Sequence, residues 1–322
     1  MTAKRVFFTG GAGFIASHTI PLLLERGYAV RIYDNMRRGD RERTERFIAE
    51  SGGRVELVEK DVTNGGPVRE HIAGCTHVIH FPTMSINKSI ADPHESIYLN
   101  MIGNNNVFAA AADEGVRRLV FASTASVYGN PKKLPMHEDD ELEPLTPYCI
   151  SKRAGEDLLG FYQRHKGLSW NALRFFNVYG PGQKVEAYYT SVINHFLQRL
   201  RAGQPPVIDG KGEQSMDFVH VHDIARAVVA ALESERCDMP INIGTGIDTS
   251  ISTLAKLLID AVGADVEPQF NPRDVLVARR AANIDRARNV LGWEPTITVE
   301  QGMADLVAAT ASEARDGAGD GE

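Results

Sequence analysis

The stretch TGGAGFIASH, residues 9–18, joins an apolar run to the start of a helical pattern. Its glycines are spaced Gly10-x-x-Gly13, and Ala16 stands where a third glycine would complete the pattern. Glycines in such a turn let the backbone approach a pyrophosphate, and the free N–H groups of a helix N-terminus attract its negative charge. The stretch therefore predicts a dinucleotide-binding turn, with a purely structural turn as the alternative. The residues expected to contact the cofactor here are Gly10, Gly13, Phe14 and Ile15.

The rest of the first half alternates between apolar strand-like runs and helical patterns. The strand-like runs are rich in β-branched and aromatic residues, as expected of strands that are covered on both faces. They lie at residues 5–10, 29–34, 54–60, 77–81, 118–123 and 170–176. Helical patterns, such as those at 14–27 and 96–115, lie between them. This alternation predicts an α/β fold with a doubly wound parallel sheet of the Rossmann type.

The pattern changes after residue 177, where the alternation weakens and proline and glycine become more frequent. We expect a dinucleotide-binding domain over 1–177, to which later segments at about 207–245 return. A smaller α/β substrate-binding domain is expected mainly over 178–310. The small, polar tail 311–322 is expected to be disordered.

Composition and charge narrow the classes of function. The 322 residues carry a formal net charge of −7, which argues against a nucleic-acid-binding surface. The sequence contains no run of about 20 apolar residues, so no membrane span is expected. The N-terminus does not have the layout of a signal peptide. Cys75, Cys149 and Cys237 are widely spaced and odd in number. We therefore expect a cytoplasmic protein in a reducing compartment, with no disulfide framework and no metal site.

Carboxylates that follow the second and third predicted strands extend the dinucleotide interpretation. Asp34 lies 24 residues after Gly10, where it can accept hydrogen bonds from ribose hydroxyls and would repel a 2′-phosphate. NAD is therefore favoured over NADP. Asp61, in EKDVTN, is positioned either to reach an adenine amine or to cap a helix. The cofactor contacts expected along this edge are Asp34, Asn35, Asp61, Val62 and Phe81.

Residues suited to acid–base chemistry lie further along the chain. Tyr148 and Lys152, in PYCISK, are four residues apart and share one face of a predicted helix. A free tyrosine has a pKa near ~10 and is a poor base at neutral pH, but a nearby ammonium group favours the phenolate. Ser123 and Thr124, in FASTASVYG, end the preceding strand at the same sheet edge. A Tyr-x-x-x-Lys spacing arises often by chance, and this combination makes it a candidate catalytic site.

Seven motifs in the same order resemble those of the extended short-chain dehydrogenase/reductase family, and within it the nucleotide-sugar epimerases and dehydratases. They are TGGAGFI, a strand-end Asp, STASVYG, YCISK, RFFNVYGPG, MDFVHVHD and NIGTG. The likeness runs from about residue 4 to about residue 310. It implies a tightly bound NAD, a nucleotide-sugar substrate, and Tyr148 as catalytic base with Lys152 as its helper. Thr124 occupies the family's Ser/Thr position, and Ser123 is a neighbour that assists.

The resemblance also implies binding residues and an assembly. Asn100, in YLNMIGNNN, matches the Asn on the cofactor side, and Asn177, in FFNVYG, matches the Asn that meets the diphosphate. Ser85, in FPTMS, is expected to touch the substrate. Members of the family commonly dimerise through helices that correspond to those near 96–114 and 148–165, so we expect a homodimer.

The segment after Thr124 discriminates among the reactions of this family. Dehydratases resemble TDEVYG and decarboxylases resemble SEVYG, whereas Ala125 and Ser126 occupy those acidic positions here. The remaining Ser/Thr–Tyr–Lys set suffices for reversible oxidation, so the resemblance implies a 4-epimerase of a UDP-sugar of the UDP-glucose type. UDP-glucuronate or UDP-N-acetylhexosamine as the substrate, another reaction of the family, and a non-catalytic NAD-binding protein remain alternatives.

One motif departs from the family pattern. In GEQSMDFVHVHD the family usually has an Arg, which pairs with the diphosphate, where this chain has Met216. A thioether cannot replace a bidentate guanidinium. Arg273, Arg279 and Arg280, in NPRDVLVARRAAN, are candidates to restore the positive charge. We expect at least one of Arg279 and Arg280 to face the substrate, with a surface basic pair as the alternative.

Overall fold

The computed structural model describes residues 4–183, 192–272 and 279–316. The strands are β1 (Arg5–Thr9), β2 (Ala29–Asp34), β3 (Val55–Glu59), β4 (His77–His80), β5 (Arg118–Thr124), β6 (Trp170–Phe175), β7 (Asn177–Tyr179), β8 (Val207–Asp209), β9 (Ser215–Met216), β10 (Phe218–His220), β11 (Met239–Ile243), β12 (Thr249–Ser250) and β13 (Gln269–Asn271). The helices are α1 (Phe14–Glu25), α2 (Arg41–Glu50), α3 (Gly65–Ile72), α4 (Ile86–Ala91), α5 (Pro93–Ile97), α6 (Gly103–Glu114), α7 (Pro147–Lys166), α8 (Val192–Arg201), α9 (Val221–Glu233), α10 (Ile251–Val262), α11 (Asp285–Leu291) and α12 (Val299–Asp316). A π-helical turn, Tyr98–Ile102, precedes α6, and a 3-10 turn, Ala125–Tyr128, follows β5.

Seven parallel strands form the main sheet, in the order β11-β6-β5-β4-β1-β2-β3. The chain builds outward from β1 to β3 and then crosses to the other side of β1 with β4, which creates a switch point between β1 and β4. All these strands run in one direction, so their carboxyl ends meet at one edge. The predicted doubly wound α/β fold is confirmed.

Two apolar clusters cover the two faces of this sheet. Phe7 and Phe8 are neighbours in β1 and are both fully buried, but they belong to different clusters because successive side chains of a strand point to opposite faces. The cluster that contains Phe8 includes residues of α1 and α9. The cluster that contains Phe7 includes residues of α3, α6 and α7. This two-sided burial explains why the strands read as nearly continuous apolar runs.

A third cluster, built by α8, α10 and α12, forms the core of the smaller domain. Ile208 of β8 packs in this cluster, and β8 pairs with β13 rather than with the main sheet. Strand β8, which begins at Val207, is therefore part of the smaller domain. The chain returns after β9, where α9 packs on α1 and β11 joins β6. It returns again at α11, whose Ala287 packs in the cluster of Phe8.

Helix α12 continues to Asp316 and so occupies 311–316, the first part of the tail that was predicted to be disordered. The reason is local, because the run ASEAR is rich in alanine, glutamate and arginine, which have high helix propensity. Residues 317–322 lie outside the described residues. None of the described helices is both long enough and apolar enough to cross a membrane.

Candidate active site

The glycine-rich turn after β1 leaves room for a ligand at the start of α1. Gly10 has a φ of +70°, and a Cβ there would lie 2.9 Å from the backbone nitrogen of Pro82. Gly13 is the N-cap residue of α1 and offers no side chain to the first turn, so its N–H groups remain available to an anion. Ala16 is buried in the core, as expected for the third position of the motif. The turn fits the pyrophosphate of a dinucleotide.

Phe14 and Ile15 form the first turn of α1 beside the glycines. The Phe14 ring lies against the His18 ring, with centroids 5.7 Å apart, and Ile15 packs on the core cluster of Phe8. Both residues are half-buried, so each keeps surface that faces away from the core.

Asp34 ends β2 beside the glycine-rich turn. Its Oδ2 accepts from the backbone N–H of Ala12 at 3.1 Å, and its Oδ1 accepts from the backbone N–H of Met36 at 2.9 Å. Burial raises the pKa of this carboxyl above its ordinary value, although the two hydrogen bonds oppose the shift. Each oxygen has a second lone pair, so the carboxylate retains the capacity to accept from a ribose hydroxyl.

The predicted adenine edge is partly occupied by local contacts. Asp61 accepts from the Asn35 side chain at 2.8 Å, and from the N–H and hydroxyl of Thr63. Burial by itself would raise the pKa of Asp61, but these hydrogen bonds outweigh it and lower that pKa. Val62 is buried beside Gly103, where a Cβ would approach its side chain to 2.8 Å. Phe81 packs edge-to-face on Phe8 and Phe175.

The structure places Tyr148 and Lys152 together in the first turns of α7. This helix begins at Pro147, directly after Thr146, whose hydroxyl accepts from the Cys149 N–H. The Lys152 Nζ lies 5.9 Å from the centroid of the Tyr148 ring. It also donates to the Ala122 carbonyl at 2.7 Å, which ties the amine to the end of β5. Lys152 is only 2% exposed, and burial lowers its pKa to about 7.

Thr124 and Ser123 face opposite sides of β5. The Thr124 hydroxyl accepts from the Ser126 N–H at 3.1 Å and caps the 3-10 turn at the sheet edge. The Ser123 hydroxyl instead donates to the Glu156 carboxylate at 2.5 Å, within the buried Glu156–Arg174 ion pair. Adjacent strand residues alternate in direction, so the sequence itself contained the signal that these two hydroxyls point to opposite sides of β5. We therefore exclude Ser123 from the candidate catalytic set.

Asn100 connects the π-helical turn to the catalytic helix. Its Nδ2 donates to the Ser151 hydroxyl at 2.9 Å, and the Ser151 hydroxyl donates to the Tyr148 carbonyl at 2.8 Å. A π-helical turn adds a residue to the helical register and is frequent at functional sites. Ser85 precedes α4, and its buried hydroxyl has no hydrogen-bond partner among the described residues. An unpaired buried hydroxyl of this kind is suited to a ligand.

The predicted substrate-binding residues in the second half of the chain have different hydrogen-bond and ion-pair partners. Asn177 begins β7, and its Nδ2 donates to the Asp217 carbonyl at 3.1 Å. Arg279 has a side chain that is 60% exposed, and it forms an ion pair with Asp248 at 2.8 Å. Arg280 is half-buried and donates to the Gly129 carbonyl at 3.0 Å. The structure therefore separates the two arginines, and only Arg280 reaches the loop that follows Thr124.

Met216 occupies the position where the family motif usually has an Arg, and Arg273 was a candidate to replace that charge. Met216 lies in β9 and packs against the apolar cluster of the smaller domain. Arg273 lies outside the described residues.

Two buried polar networks escaped the sequence analysis. Arg174, next to the last residue of β6, pairs with Glu156 at 2.7 Å and also donates to the Tyr128 hydroxyl. Asp217 is fully buried, and its carboxylate accepts from the backbone N–H groups of residues 245, 246 and 282. A charged residue within the apolar run RFF and another in MDFVHVHD could have indicated buried polar networks. Their partners could not be identified from the sequence because they are distant along the chain. No group of three potential metal ligands occurs in the described part of the chain.

Comparison with known proteins agrees with this geometry. Residues 6–244 match the model of the NAD dependent epimerase/dehydratase family. The chain belongs to this family. It is 33% identical over 309 residues to the UDP-glucose 4-epimerase of Mycolicibacterium smegmatis, covering 94% of this chain and 97% of the relative. It is 30% identical over 318 residues to the UDP-glucuronate 4-epimerase of Thermodesulfobacterium geofontis, covering 93% and 94%.

The fold is also similar to that of a solved family member. The UDP-glucose 4-epimerase of Thermotoga maritima with UDP-glucose superposes with a TM-score of 0.89 at 31% identity, covering 96% of this chain and 99% of that one. The resemblance to the extended short-chain dehydrogenase/reductases is confirmed. This family member is an NAD-dependent enzyme of the nucleotide-sugar epimerase type, with NAD as its cofactor.

The buried amine of Lys152 has a measurable consequence. We expect Lys152→Met to abolish turnover and to raise the melting temperature of the NAD-free protein, with a larger gain at pH 6 than at pH 9. The unfolded lysine has a pKa of roughly 10.4, whereas burial lowers the pKa of folded Lys152 to about 7. Above pH 7 the folded state releases a proton that the unfolded state keeps, so wild-type stability rises and the difference shrinks.

The measurement is thermal unfolding at several pH values. Lys166→Met, on the exposed end of the same helix, is the matched control and is expected to show no such trend. A gain for Lys152→Met that stays constant between pH 6 and pH 9 would contradict the assignment.

Proposed function

We propose that this protein is a nucleotide-sugar 4-epimerase that inverts C4 of a UDP-sugar of the UDP-glucose type through a 4-keto intermediate. The observation that carries the proposal is the placement of Tyr148 and Lys152 at the strand end that presents Thr124. The 3-10 turn after Thr124 bears Ala125 and Ser126, neither of which offers a carboxylate for eliminating water or for decarboxylation. The remaining set of Thr124, Tyr148 and Lys152 suffices for reversible oxidation of a hydroxyl, which favours an epimerase.

Tyr148 removes the proton from the C4 hydroxyl in this mechanism. Thr124 holds the same oxygen through its hydroxyl, since its hydrogen bond from Ser126 uses only a lone pair. Lys152 lies beneath the Tyr148 ring and favours the phenolate when its amine is protonated. Bound NAD would supply the hydride acceptor for C4 and the donor for the return of the hydride, and inversion would follow if the keto sugar turns between the two transfers. Tyr148 then gives its proton back to the new C4 hydroxyl.

Different residues are proposed to bind the different parts of the dinucleotide. The turn with Gly10 and Gly13, followed by Phe14 and Ile15, takes the pyrophosphate, and Asp34 takes the ribose. Asn35, Asp61 and Val62 would hold the adenine end of the dinucleotide. Phe81, Asn100, Tyr148 and Lys152 would hold the nicotinamide end.

Ser85 and Asn177 are proposed to bind the substrate together with Thr124 and Arg280. Arg279 is removed from this set because its guanidinium is exposed and paired with Asp248.

The helices around the catalytic helix support a homodimer. Tyr98 and Ile102 are exposed and lie one helical turn apart. Ile150 and Phe161 are also exposed, and they lie three turns apart on one face of α7. The two helical segments pack side by side, with the Tyr162 hydroxyl donating to Asn105. Exposed apolar side chains concentrated on neighbouring helices are typical of a subunit interface.

Light scattering on the purified protein tests the assembly. We expect twice the chain mass of 35.3 kDa, because the dimer would bury this apolar surface. Replacing both Ile150 and Phe161 by Glu is expected to shift the protein to the monomer mass. A wild-type protein that runs at a single chain mass would contradict the proposal.

The epimerase activity is tested by proton NMR of the sugar signals. The protein is incubated separately with UDP-glucose, UDP-N-acetylglucosamine and UDP-glucuronate, and we expect a C4-inverted product from at least one. Tyr148→Phe removes the base and is expected to lower kcat by about 100-fold or more. Tyr162→Phe, which removes a hydroxyl from the same helix, is the matched control and should retain activity. Unchanged spectra with all three sugars would refute the proposal for these substrates.

A further inference from the structure

The guanidinium of Arg280 is a half-buried charge without an acidic partner in the described part of the chain. Its backbone N–H donates to the Ser215 carbonyl at 3.2 Å, beside Met216. Its Nη2 donates to the Gly129 carbonyl at 3.0 Å, which uses one of the five guanidinium N–H donors. Among the described residues, no carboxylate is close enough to oppose the effect of burial on the pKa of this guanidinium.

Arg279, the residue before Arg280, is an ordinary surface arginine and serves as a comparison. Arg279 is exposed and has Asp248 at 2.8 Å. Arg280, one residue later, turns inward and loses access to that carboxylate. Burial lowers the pKa of its guanidinium below the usual value. A cation that is withdrawn from water and left without a counter-ion is unfavourable, and an anionic ligand relieves this penalty.

The position of the guanidinium indicates which part of a substrate it meets. Gly129 closes the 3-10 turn that begins after Thr124, and Cys149 follows Tyr148 directly. The hydrogen bond to the Gly129 carbonyl therefore places the guanidinium at the turn that follows Thr124. Asn177, the proposed diphosphate contact, is held instead by the Asp217 carbonyl in the β7–β10 pair.

We propose that Arg280 binds a carboxylate at C6 of the sugar, so that among UDP-sugars of the UDP-glucose type the preferred substrate is the one oxidised at C6, a nucleotide hexuronate. This inference rests on the proposed 4-epimerase activity. The C6 carboxylate is attached to C5, the ring atom next to the oxidised C4, so it would lie on the side of the sugar that meets the turn after Thr124, to which Arg280 is bonded. A guanidinium binds a carboxylate through two parallel hydrogen bonds, which provides both affinity and orientation. Ser126, in place of a glutamate, leaves no carboxylate there to promote loss of C6.

The test compares Arg280→Gln with Arg279→Gln, using UDP-glucuronate and UDP-glucose as probes. We expect the wild type to invert C4 of UDP-glucuronate with the higher kcat/KM. Arg280→Gln is expected to lower kcat/KM for UDP-glucuronate by about 10- to 100-fold, mainly through KM, because charge-assisted hydrogen bonds to the carboxylate are lost. The loss of kcat/KM for UDP-glucose should be at least about fivefold smaller than the loss for UDP-glucuronate, because UDP-glucose has no carboxylate to lose contact with Arg280. Arg279→Gln, at a residue paired with Asp248, should leave both substrates unaffected.

Isothermal titration of the same proteins gives a readout that does not require turnover. The wild type is expected to bind UDP-glucuronate more tightly than UDP-glucose, and Arg280→Gln is expected to remove the difference. Equal losses for both sugars would assign Arg280 to the diphosphate and overturn the inference, as would no loss at all. C4 inversion of UDP-glucose without tighter binding of UDP-glucuronate would overturn this inference alone. Absence of any inversion would instead refute the proposed function.

Discussion

The hydrogen bond from the Lys152 amine to the Ala122 carbonyl links the two elements on which the candidate chemistry depends. One end belongs to α7, which carries Tyr148, and the other belongs to β5, which ends two residues later at Thr124. The amine is enclosed by the rings of Phe121 and Tyr148, with its Nζ at 4.8 Å and 5.9 Å from their centroids. Burying an amine without a hydrogen bond costs free energy, so apolar packing by itself does not favour this position. The hydrogen bond to the Ala122 carbonyl offsets part of that cost.

The surrounding structure holds that contact in place from several directions. Asn100 binds Ser151, which in turn binds the Tyr148 carbonyl, so the π-helical turn orients the first turns of α7. Beneath β5, Ser123 donates to Glu156, which is itself paired with Arg174 of the next strand. The catalytic helix is thereby fixed to β5 and to β6 through buried polar groups. Removing either partner of such a pair would leave an uncompensated charge in the core.

Much of the frame was predictable from the sequence because it rests on local patterns. The apolar runs gave the six strands from β1 to β6, and the glycine spacing, the strand-end Asp34 and the Tyr148–Lys152 spacing gave the candidate site. The direction of Ser123 was also readable from strand alternation but was missed. The different roles of Arg279 and Arg280 were not readable, since neighbouring residues outside a regular element have no fixed directions. Their separation depends on Asp248 and Gly129, which are distant in sequence.

The path of the hydrogen at C4 tests the central claim most directly, because epimerisation by transient oxidation moves it as a hydride within the closed site. The measurement uses UDP-sugar that carries deuterium at C4, incubated with the enzyme in ordinary water, followed by NMR of the inverted product. The account predicts that the deuterium remains at C4 of the product, because it never equilibrates with solvent. A C4-inverted product that has exchanged its deuterium for solvent hydrogen would contradict the account and indicate proton abstraction from carbon instead.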